Sequence, residues 1–218
     1  MNGKLEPMSD FFAARVQGYD EHMLEQVEGC REGYQKMAEL IPEDAKTLLD
    51  LGCGTGLELD AIFARRTDLE VVGIDLCNAM LARLRQKHSD KALTLLLDDY
   101  FQADLGVDRF DAAVSFETLH HFSYEKKLGL YQKLFQALRS DGVYIECDYM
   151  VETQEEEDAL WAQNETLRRE QGIAPEDYYH FDTPFTVEKQ IELLEKAGFA
   201  KIQKLFRMGG TVLLIAKK

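Results

Sequence analysis

The stretch from Thr47 to Gly56 constrains the fold of this chain more than any other part of its sequence. It reads Thr-Leu-Leu-Asp-Leu-Gly-Cys-Gly-Thr-Gly, an apolar run that ends on an acid and opens into three alternating glycines. The apolar run predicts a buried strand, and the glycines permit a turn in which backbone approaches a ligand closely. Residues 57–66 have the apolar spacing of a helix, so we expect the turn to precede a helix N-terminus.

A second strand is predicted over residues 70–75, and it ends on Asp75. This acid follows the glycines by roughly 20 residues, the distance at which one strand–helix–strand unit brings a carboxylate to the ribose of a nucleoside. A dinucleotide fingerprint would have its third glycine at position 57, which is Leu57, and the turn has no P-loop lysine. Asp50 would repel a phosphate but attract an ammonium group. We therefore expect a ligand with a ribose, an amino group and little negative charge.

Residues 49–56, Leu-Asp-Leu-Gly-Cys-Gly-Thr-Gly, resemble motif I of the class I S-adenosylmethionine-dependent methyltransferases. Further motifs of that family follow in its order and spacing: the ribose motif at 72–81, the adenine-side motif at 98–100, the fourth strand at 109–115 and the turn into the fifth strand at 138–145. The common Pro-Gly of the last motif is Asp141-Gly142 here. The resemblance implies methyl transfer from S-adenosylmethionine with release of S-adenosylhomocysteine.

Alternating strands and helices, together with this resemblance, imply an α/β fold: a three-layer α/β/α sandwich with a mostly parallel seven-stranded sheet and an antiparallel C-terminal hairpin. The predicted core elements are strand 46–51, helix 57–66, strand 70–75, helix 78–88, strand 93–97, strand 110–115, helix 125–139 and strand 142–148. We expect a single methyltransferase domain, 1–218, comprising an N-terminal helical cap (1–45), a cofactor-binding core (46–149), a lid or acceptor insertion (150–185), and a C-terminal helix and hairpin (186–218).

The resemblance assigns cofactor binding to residues at the ends of the first four strands: Asp50, Gly52, Cys53, Gly54, Gly56, Asp75, Leu76, Met80, Asp99, Tyr100 and Phe116. Asp50 is expected to reach the methionine ammonium through water, and Asp75 to accept from both ribose hydroxyls. Asp99 is favoured over Asp98 as the partner of the adenine amino group. Its neighbour Tyr100 is expected to donate its backbone N–H to the ring.

His120 and His121 follow the fourth strand, where the resemblance implies that sulfonium and acceptor meet. One of them could act as a general base for an acceptor of near-neutral pKa, or both could simply shape the pocket. Acceptor binding is predicted for residues of the N-terminal helix, the fifth strand and the lid: Tyr19, His22, Tyr149, Tyr178, Tyr179 and His180. For the lid aromatics, anchoring of the lid to the core is the alternative. No metal site is expected, because the four cysteines are far apart.

The net charge of −15 disfavours nucleic acid and anionic lipid as partners, so a small-molecule acceptor is the preferred prediction. A tRNA or protein methyltransferase and a non-catalytic S-adenosylmethionine-binding regulatory module are the alternatives. The sequence leaves nitrogen, oxygen, sulfur and carbon open as the methylated atom. Unpaired cysteines and the absence of a signal peptide or membrane-length apolar run predict a cytoplasmic protein, either monomer or homodimer.

Overall fold

Seven strands form one sheet in the computed structural model, which describes residues 3–218. They are β1 (Thr47–Leu51), β2 (Glu70–Asp75), β3 (Leu93–Leu97), β4 (Phe110–Phe116), β5 (Leu138–Tyr149), β6 (Ala200–Met208) and β7 (Thr211–Lys217). Their order across the sheet is β3-β2-β1-β4-β5-β7-β6, with β1 to β5 parallel and β7 antiparallel to both of its neighbours. The predicted mixed sheet with a C-terminal hairpin is confirmed.

The helices cover both faces of this sheet. They are α1 (Met8–Arg15), α2 (Tyr19–Glu25), α3 (Cys30–Leu40), α4 (Leu57–Arg65), α5 (Asn78–Lys87), α6 (Tyr124–Ala137), α7 (Gln154–Gln171) and α8 (Val187–Ala197). Apolar residues of α3, α4 and α5 pack in one buried cluster, and those of α6 and α8 pack in the other. Leu48 of β1 belongs to the first cluster and Leu49 to the second, as alternation along a strand requires.

Local signals set several helix ends. Ser123, Thr153 and Thr186 each cap a helix by accepting a hydrogen bond from a backbone N–H three residues later. Gly198 ends α8 with φ of +109°, a conformation that favours glycine. The interruptions predicted near Gly18 and Gly29 separate α1, α2 and α3.

The predicted helix 125–139 extends two residues too far at its C-terminal end. Helix α6 ends at Ala137, and Leu138 already pairs with Phe110 as the first residue of β5. The register of this pairing shifts before Ala112, so β5 begins with an irregular segment that has no alternating pattern to reveal it. Pairing with a neighbouring strand therefore overrode the helical periodicity at this boundary.

The N-terminal segment pairs with the loop that follows α7. Pro7 and Tyr179 form an antiparallel bridge, the Met8 N–H donates to the Tyr178 carbonyl at 3.0 Å, and the His180 N–H donates to the Glu6 carbonyl at 3.0 Å. These bonds tie the predicted cap to the predicted lid. Within residues 3–218, we find no helix of the length and apolar character needed to cross a bilayer.

Candidate functional site

The glycine turn after β1 is held by the acid at the end of β2. Asp75 accepts the Gly54 N–H at 2.9 Å through Oδ2 and the Cys77 N–H at 2.7 Å through Oδ1. Gly52 has φ of +71°, and a Cβ at this position would lie 2.2 Å from Oγ1 of Thr118. The turn therefore needs glycine at position 52 both for its backbone conformation and for space.

A narrow cavity opens beside this turn. Seven of the predicted cofactor residues line it: Gly52, Gly54, Asp75, Leu76, Met80, Tyr100 and Phe116. Its remaining lining comes from the N-terminal helices and the ends of β2 and β4: Met8, Ser9, Phe12, Tyr19, Cys77, Glu117 and Thr118. The cavity thus lies at the carboxyl ends of the parallel strands, where α/β sheets bind ligands.

Four predicted cofactor residues do not line this cavity. Gly56 and Cys53 make packing contacts instead, since a Cβ at Gly56 would lie 2.3 Å from Leu84 and Sγ of Cys53 packs against Gly73. Asp50 lies beneath the turn, fully buried. Asp99 faces the lid.

Asp50 and Glu58 form a buried carboxyl pair at the base of the turn. Apart from the neighbouring Glu58 carboxyl, no described residue donates a hydrogen bond to either carboxylate oxygen of Asp50. Burial raises the pKa of Asp50 to about 7, although a hydrogen bond from the Glu58 carboxyl opposes this shift. Burial and the Asp50 charge raise the pKa of Glu58 well above its usual value. Glu58 therefore carries the shared proton, and Asp50 is left as a buried acceptor that suits an ammonium group.

Asp99 connects the core to the lid. Its Oδ1 accepts the Phe101 N–H at 2.8 Å, and its Oδ2 accepts from the Tyr178 hydroxyl at 2.9 Å. Asp98, the alternative considered for adenine binding, is exposed and accepts the Asp99 N–H at 2.8 Å. The adenine contact of Asp99 stays a prediction. Tyr178 anchors the lid to the core through this hydrogen bond, which was the alternative considered for the lid aromatics.

A larger cavity of about 790 Å³ lies next to the first and shares Phe12, Tyr19 and Glu117 with it. Six residues predicted to contact acceptor or to act in catalysis line it: Tyr19, His22, His120, His121, Tyr149 and His180. Tyr178 and Tyr179 do not line it; both face a separate cavity against Trp161 and Arg168. The chain turns into the larger cavity at His180, whose ring stacks on Phe11, while the Tyr178 hydroxyl is bound to Asp99 on the other side.

The two histidines lie among carboxylates. Nδ1 of His120 is 2.6 Å from Oδ1 of Asp148 and 3.6 Å from Oε2 of Glu117. Burial lowers the pKa of His120, but Asp148 and Asp182 outweigh burial and raise it well above the usual value. Burial and the charge of His120 lower the pKa of His121 well below its usual value. These opposite shifts favour a charged His120 beside a neutral His121 when no ion is bound.

The sequence profile of a family described as a methyltransferase domain matches residues 48–142. This range contains the glycine turn, Asp75 and both histidines. Residues 48–142 carry a class I S-adenosylmethionine-dependent methyltransferase domain. S-Adenosylmethionine is its cofactor. The buried Asp50, whose one partner is the Glu58 carboxyl, fits the ammonium of that molecule, and Asp75 at the glycine turn fits its ribose.

Two related sequences align with most of this chain. A carboxy-S-adenosyl-L-methionine synthase of Campylobacter concisus is 27% identical over 192 residues, covering 84% of this chain and 81% of the relative. Another synthase of the same name, from Wolinella succinogenes, is 28% identical over 193 residues, covering 82% and 78%. Both relatives carry the name of an enzyme that makes a carboxylated S-adenosylmethionine.

Solved methyltransferase structures share the fold. An O-methyltransferase family protein from Burkholderia thailandensis superposes with a TM-score of 0.75 at 14% identity, covering all of this chain and 65% of that one. Human N-acetylserotonin methyltransferase, solved with S-adenosylmethionine, gives a TM-score of 0.69 at 15% identity, covering 96% and 56%. The methyltransferase fold of this chain thus spans about two thirds or less of those longer proteins.

Sequence reasoning missed three acids at the histidine pair, of which Glu117 and Asp182 line the larger cavity and Asp148 lies behind His120. Glu117, Asp148 and Asp182 come from the end of β4, the end of β5 and the lid loop, and only the fold brings them together. Glu117 has φ of +46°, an uncommon backbone conformation for a residue with a side chain. Burial raises the pKa of Glu117 to about 8. The sequence could have indicated Asp148 as a site residue only through its place near the carboxyl end of a central strand.

Proposed function

We propose that this methyltransferase transfers the methyl group of S-adenosylmethionine to a small-molecule acceptor bound in the larger cavity. The observation that carries the proposal is the shared wall of the two cavities, formed by Phe12, Tyr19 and Glu117. The larger cavity, about 790 Å³, lies within the range of about 300–1,000 Å³ usual for small-molecule sites. When bound, S-adenosylmethionine supplies a methyl group already activated on a sulfonium.

The chain's own residues would then mainly hold and orient the reactants. Asp75 and Asp50 are proposed to hold the ribose and the ammonium of the cofactor. Aromatic rings of Phe12 and Tyr19 would enclose the acceptor from the N-terminal side, and His180 from the lid. Orientation of a nucleophile in line with an activated methyl group supplies much of the rate, so this enclosure is functionally important.

His120 and His121 stay predicted to supply a general base or to shape the pocket, and both line the larger cavity. Asp148 holds the ring of His120 at 2.6 Å, and the Phe181 carbonyl lies 3.2 Å from Nδ1 of His121. The lid segment, residues 150–185, is proposed to contribute to acceptor recognition through His180 and Asp182, which both line this cavity. Its remaining residues would support that loop.

Synthesis of a carboxylated S-adenosylmethionine is the second candidate, because the sequence relatives carry that name. A carboxylate product needs a cation close to the transferred carbon. Arg15 is the one arginine lining the larger cavity in the described part of the chain, and its guanidinium is paired with Glu6 at 2.9 Å and lies over Phe11. This pairing leaves methyl transfer the better supported of the two reactions.

Isotope-labelled S-adenosylmethionine incubated with fractions of a cell extract would test both reactions. We expect the labelled methyl group to enter the small-molecule fraction, with S-adenosylhomocysteine formed in equal amount by mass spectrometry. A cofactor product heavier by a carboxyl group would instead support the second candidate. Label in tRNA or in protein would identify a macromolecular acceptor, which the net charge of −15 disfavours for nucleic acid. Tight cofactor binding without turnover in any fraction would point to a regulatory module.

We predict that S-adenosylmethionine binds more weakly in acid. The pKa of Asp50 is raised to about 7 by burial, and the neighbouring Asp75 charge adds to this shift, so a proton competes with the cofactor ammonium below that pH. Affinity should fall up to about tenfold per pH unit below the pKa and level off above it. Calorimetry from about pH 8 to about pH 5 would measure this linkage. Asp50→Asn should bind weakly with a flat pH profile; an unchanged profile in this variant would rule out Asp50 as the titrating group.

Substitution of His180 should separate acceptor recognition from cofactor binding. The ring of His180 lines the larger cavity and stacks on Phe11 with centroids 3.5 Å apart. His180→Ala is expected to lower kcat/KM for the acceptor by about 10–100-fold through lost orientation, with little change in cofactor affinity. Tyr179→Ala, whose side chain lies outside this cavity, should cause a smaller loss. A larger effect from Tyr179 would move acceptor binding to the separate cavity against Trp161 and Arg168.

A further inference from the structure

Two imidazoles and a carboxylate meet in the larger cavity in the arrangement of a metal site. Nε2 of His120 and Nδ1 of His121 each lie 3.4 Å from Oδ1 of Asp182. The three ligand atoms all lie within 4.8 Å of one another. A tetrahedral ion with bonds of about 2.0–2.2 Å places its ligand atoms about 3.3–3.6 Å apart. Both measured separations match the edges of such a tetrahedron.

The second nitrogen of His120 has the partner that metal-binding histidines commonly have. Its Nδ1 lies 2.6 Å from Oδ1 of Asp148, which leaves Nε2 facing Asp182. A carboxylate that accepts from the other ring nitrogen fixes the orientation of a metal-bound imidazole. Asp148 is itself positioned by the backbone, because its Oδ2 accepts the Leu119 N–H at 3.1 Å and the whole residue is buried.

Asp182 provides an independent indication that a cation belongs here. Its Oδ1 is inaccessible to solvent and receives no hydrogen bond from residues 3–218, although the side chain as a whole is 45% exposed. A buried carboxylate oxygen without a partner is unfavourable. A third imidazole nitrogen, Nε2 of His180, approaches this same oxygen at 3.9 Å. An ion between the rings would satisfy the carboxylate and both ligand nitrogens.

We propose that His120, His121 and Asp182 bind one divalent first-row transition metal ion of the Zn²⁺ or Fe²⁺ type. Two imidazoles with one carboxylate favour these ions over Mg²⁺ and Ca²⁺, which prefer oxygen ligands. Three protein ligands leave coordination positions open toward the cavity, as in catalytic rather than structural sites. If the proposed function holds, an oxygen or nitrogen of the acceptor would occupy an open position, and its pKa would fall there.

The same residues also permit an arrangement that holds no metal. A protonated His120 would then lie between the carboxylates of Asp148 and Asp182, and Nδ1 of His121 would donate to the Phe181 carbonyl at 3.2 Å. Metal binding requires that Nδ1 of His121 and Nε2 of His120 each give up a proton to solvent, while Nδ1 of His120 keeps the proton that it donates to Asp148. The two arrangements therefore differ in whether an added ion is bound, which is directly measurable.

Titration of the chelator-treated, full-length protein with Co²⁺, followed by visible absorption, tests the proposal. We expect one ion per chain with the intense bands of a four- or five-coordinate site, displaced by Zn²⁺. Asp182→Asn and His121→Gln should each weaken Co²⁺ binding by at least about 100-fold, since each removes a direct ligand. His88→Gln is the matched control: His88 pairs with Asp60 at 2.6 Å but belongs to no three-ligand group among the described residues, so binding should be unchanged.

Folding of each variant is checked by near-ultraviolet circular dichroism and by binding of S-adenosylmethionine, whose pocket does not use Asp182. Absence of a spectral change on adding Co²⁺ to the wild-type protein overturns the proposal and leaves the charged-histidine arrangement. Equal Co²⁺ affinity in the wild type and in both ligand variants also overturns it. Neither readout involves an acceptor, so a negative result here does not affect the proposed methyl transfer.

Discussion

Replacing Asp75 with alanine is expected to weaken S-adenosylmethionine binding by about 2–4 kcal/mol, because a ribose would lose two charge-assisted hydrogen bonds that water replaces only in part. The structure adds a second cause. Both carboxylate oxygens of Asp75 hold backbone N–H groups, of Gly54 at 2.9 Å and of Cys77 at 2.7 Å. The variant should therefore also loosen the glycine turn. Isothermal calorimetry with S-adenosylmethionine and S-adenosylhomocysteine would measure the loss.

Asp75→Asn refines this prediction. From the sequence alone we expect a smaller loss than for alanine, because the amide oxygen still accepts. The structure shows that the amide nitrogen would face one of the two backbone donors, so much of that advantage should disappear. Glu70→Ala, an exposed change at the opposite end of the same strand, is the control and should bind normally. Normal cofactor affinity in a folded Asp75→Ala protein would show that the ribose assignment is wrong.

The parts of this fold that the sequence predicts correctly are those with strong local patterns. Strands over 47–51 and 70–75 are short apolar runs between helices, and a parallel sheet places their carboxyl ends together. The glycine turn and Asp75 meet for that reason, although they are about 20 residues apart. The cofactor side of the site follows from pattern and topology with little further information.

The acceptor side depends on contacts that no local pattern encodes. The bond between Tyr178 and Asp99 joins residues 79 positions apart, and the carboxylate of Asp182 reaches the histidine pair from a loop without periodicity. The tertiary contacts of that loop decide that His180 enters the larger cavity while Tyr178 and Tyr179 do not. Such an outcome requires the register of the loop against Pro7, which only the tertiary structure provides.

Placing alanine at Gly52 should be the most damaging single change in the glycine turn. The residue has φ of +71°, which costs an alanine about 1–2 kcal/mol. The new Cβ would also lie 2.2 Å from Oγ1 and 2.7 Å from Cβ of Thr118, and overpacking of this kind costs about 1–3 kcal/mol more. We expect the free energy of unfolding to fall by about 2–5 kcal/mol, measured by denaturant titration without cofactor.

Gly54→Ala is the matched control for Gly52→Ala. Gly54 has φ of +45°, but a Cβ there would meet only the Gly52 carbonyl oxygen, at 3.9 Å, so the cost is backbone strain without a clash. Its unfolding free energy should fall by only about 1–2 kcal/mol. Combining Gly52→Ala with Thr118→Ala should restore part of the stability, since the threonine Oγ1 is removed while its Cβ stays. Equal losses for the two glycine variants would mean that Thr118 does not limit the turn, and that backbone conformation alone requires glycine there.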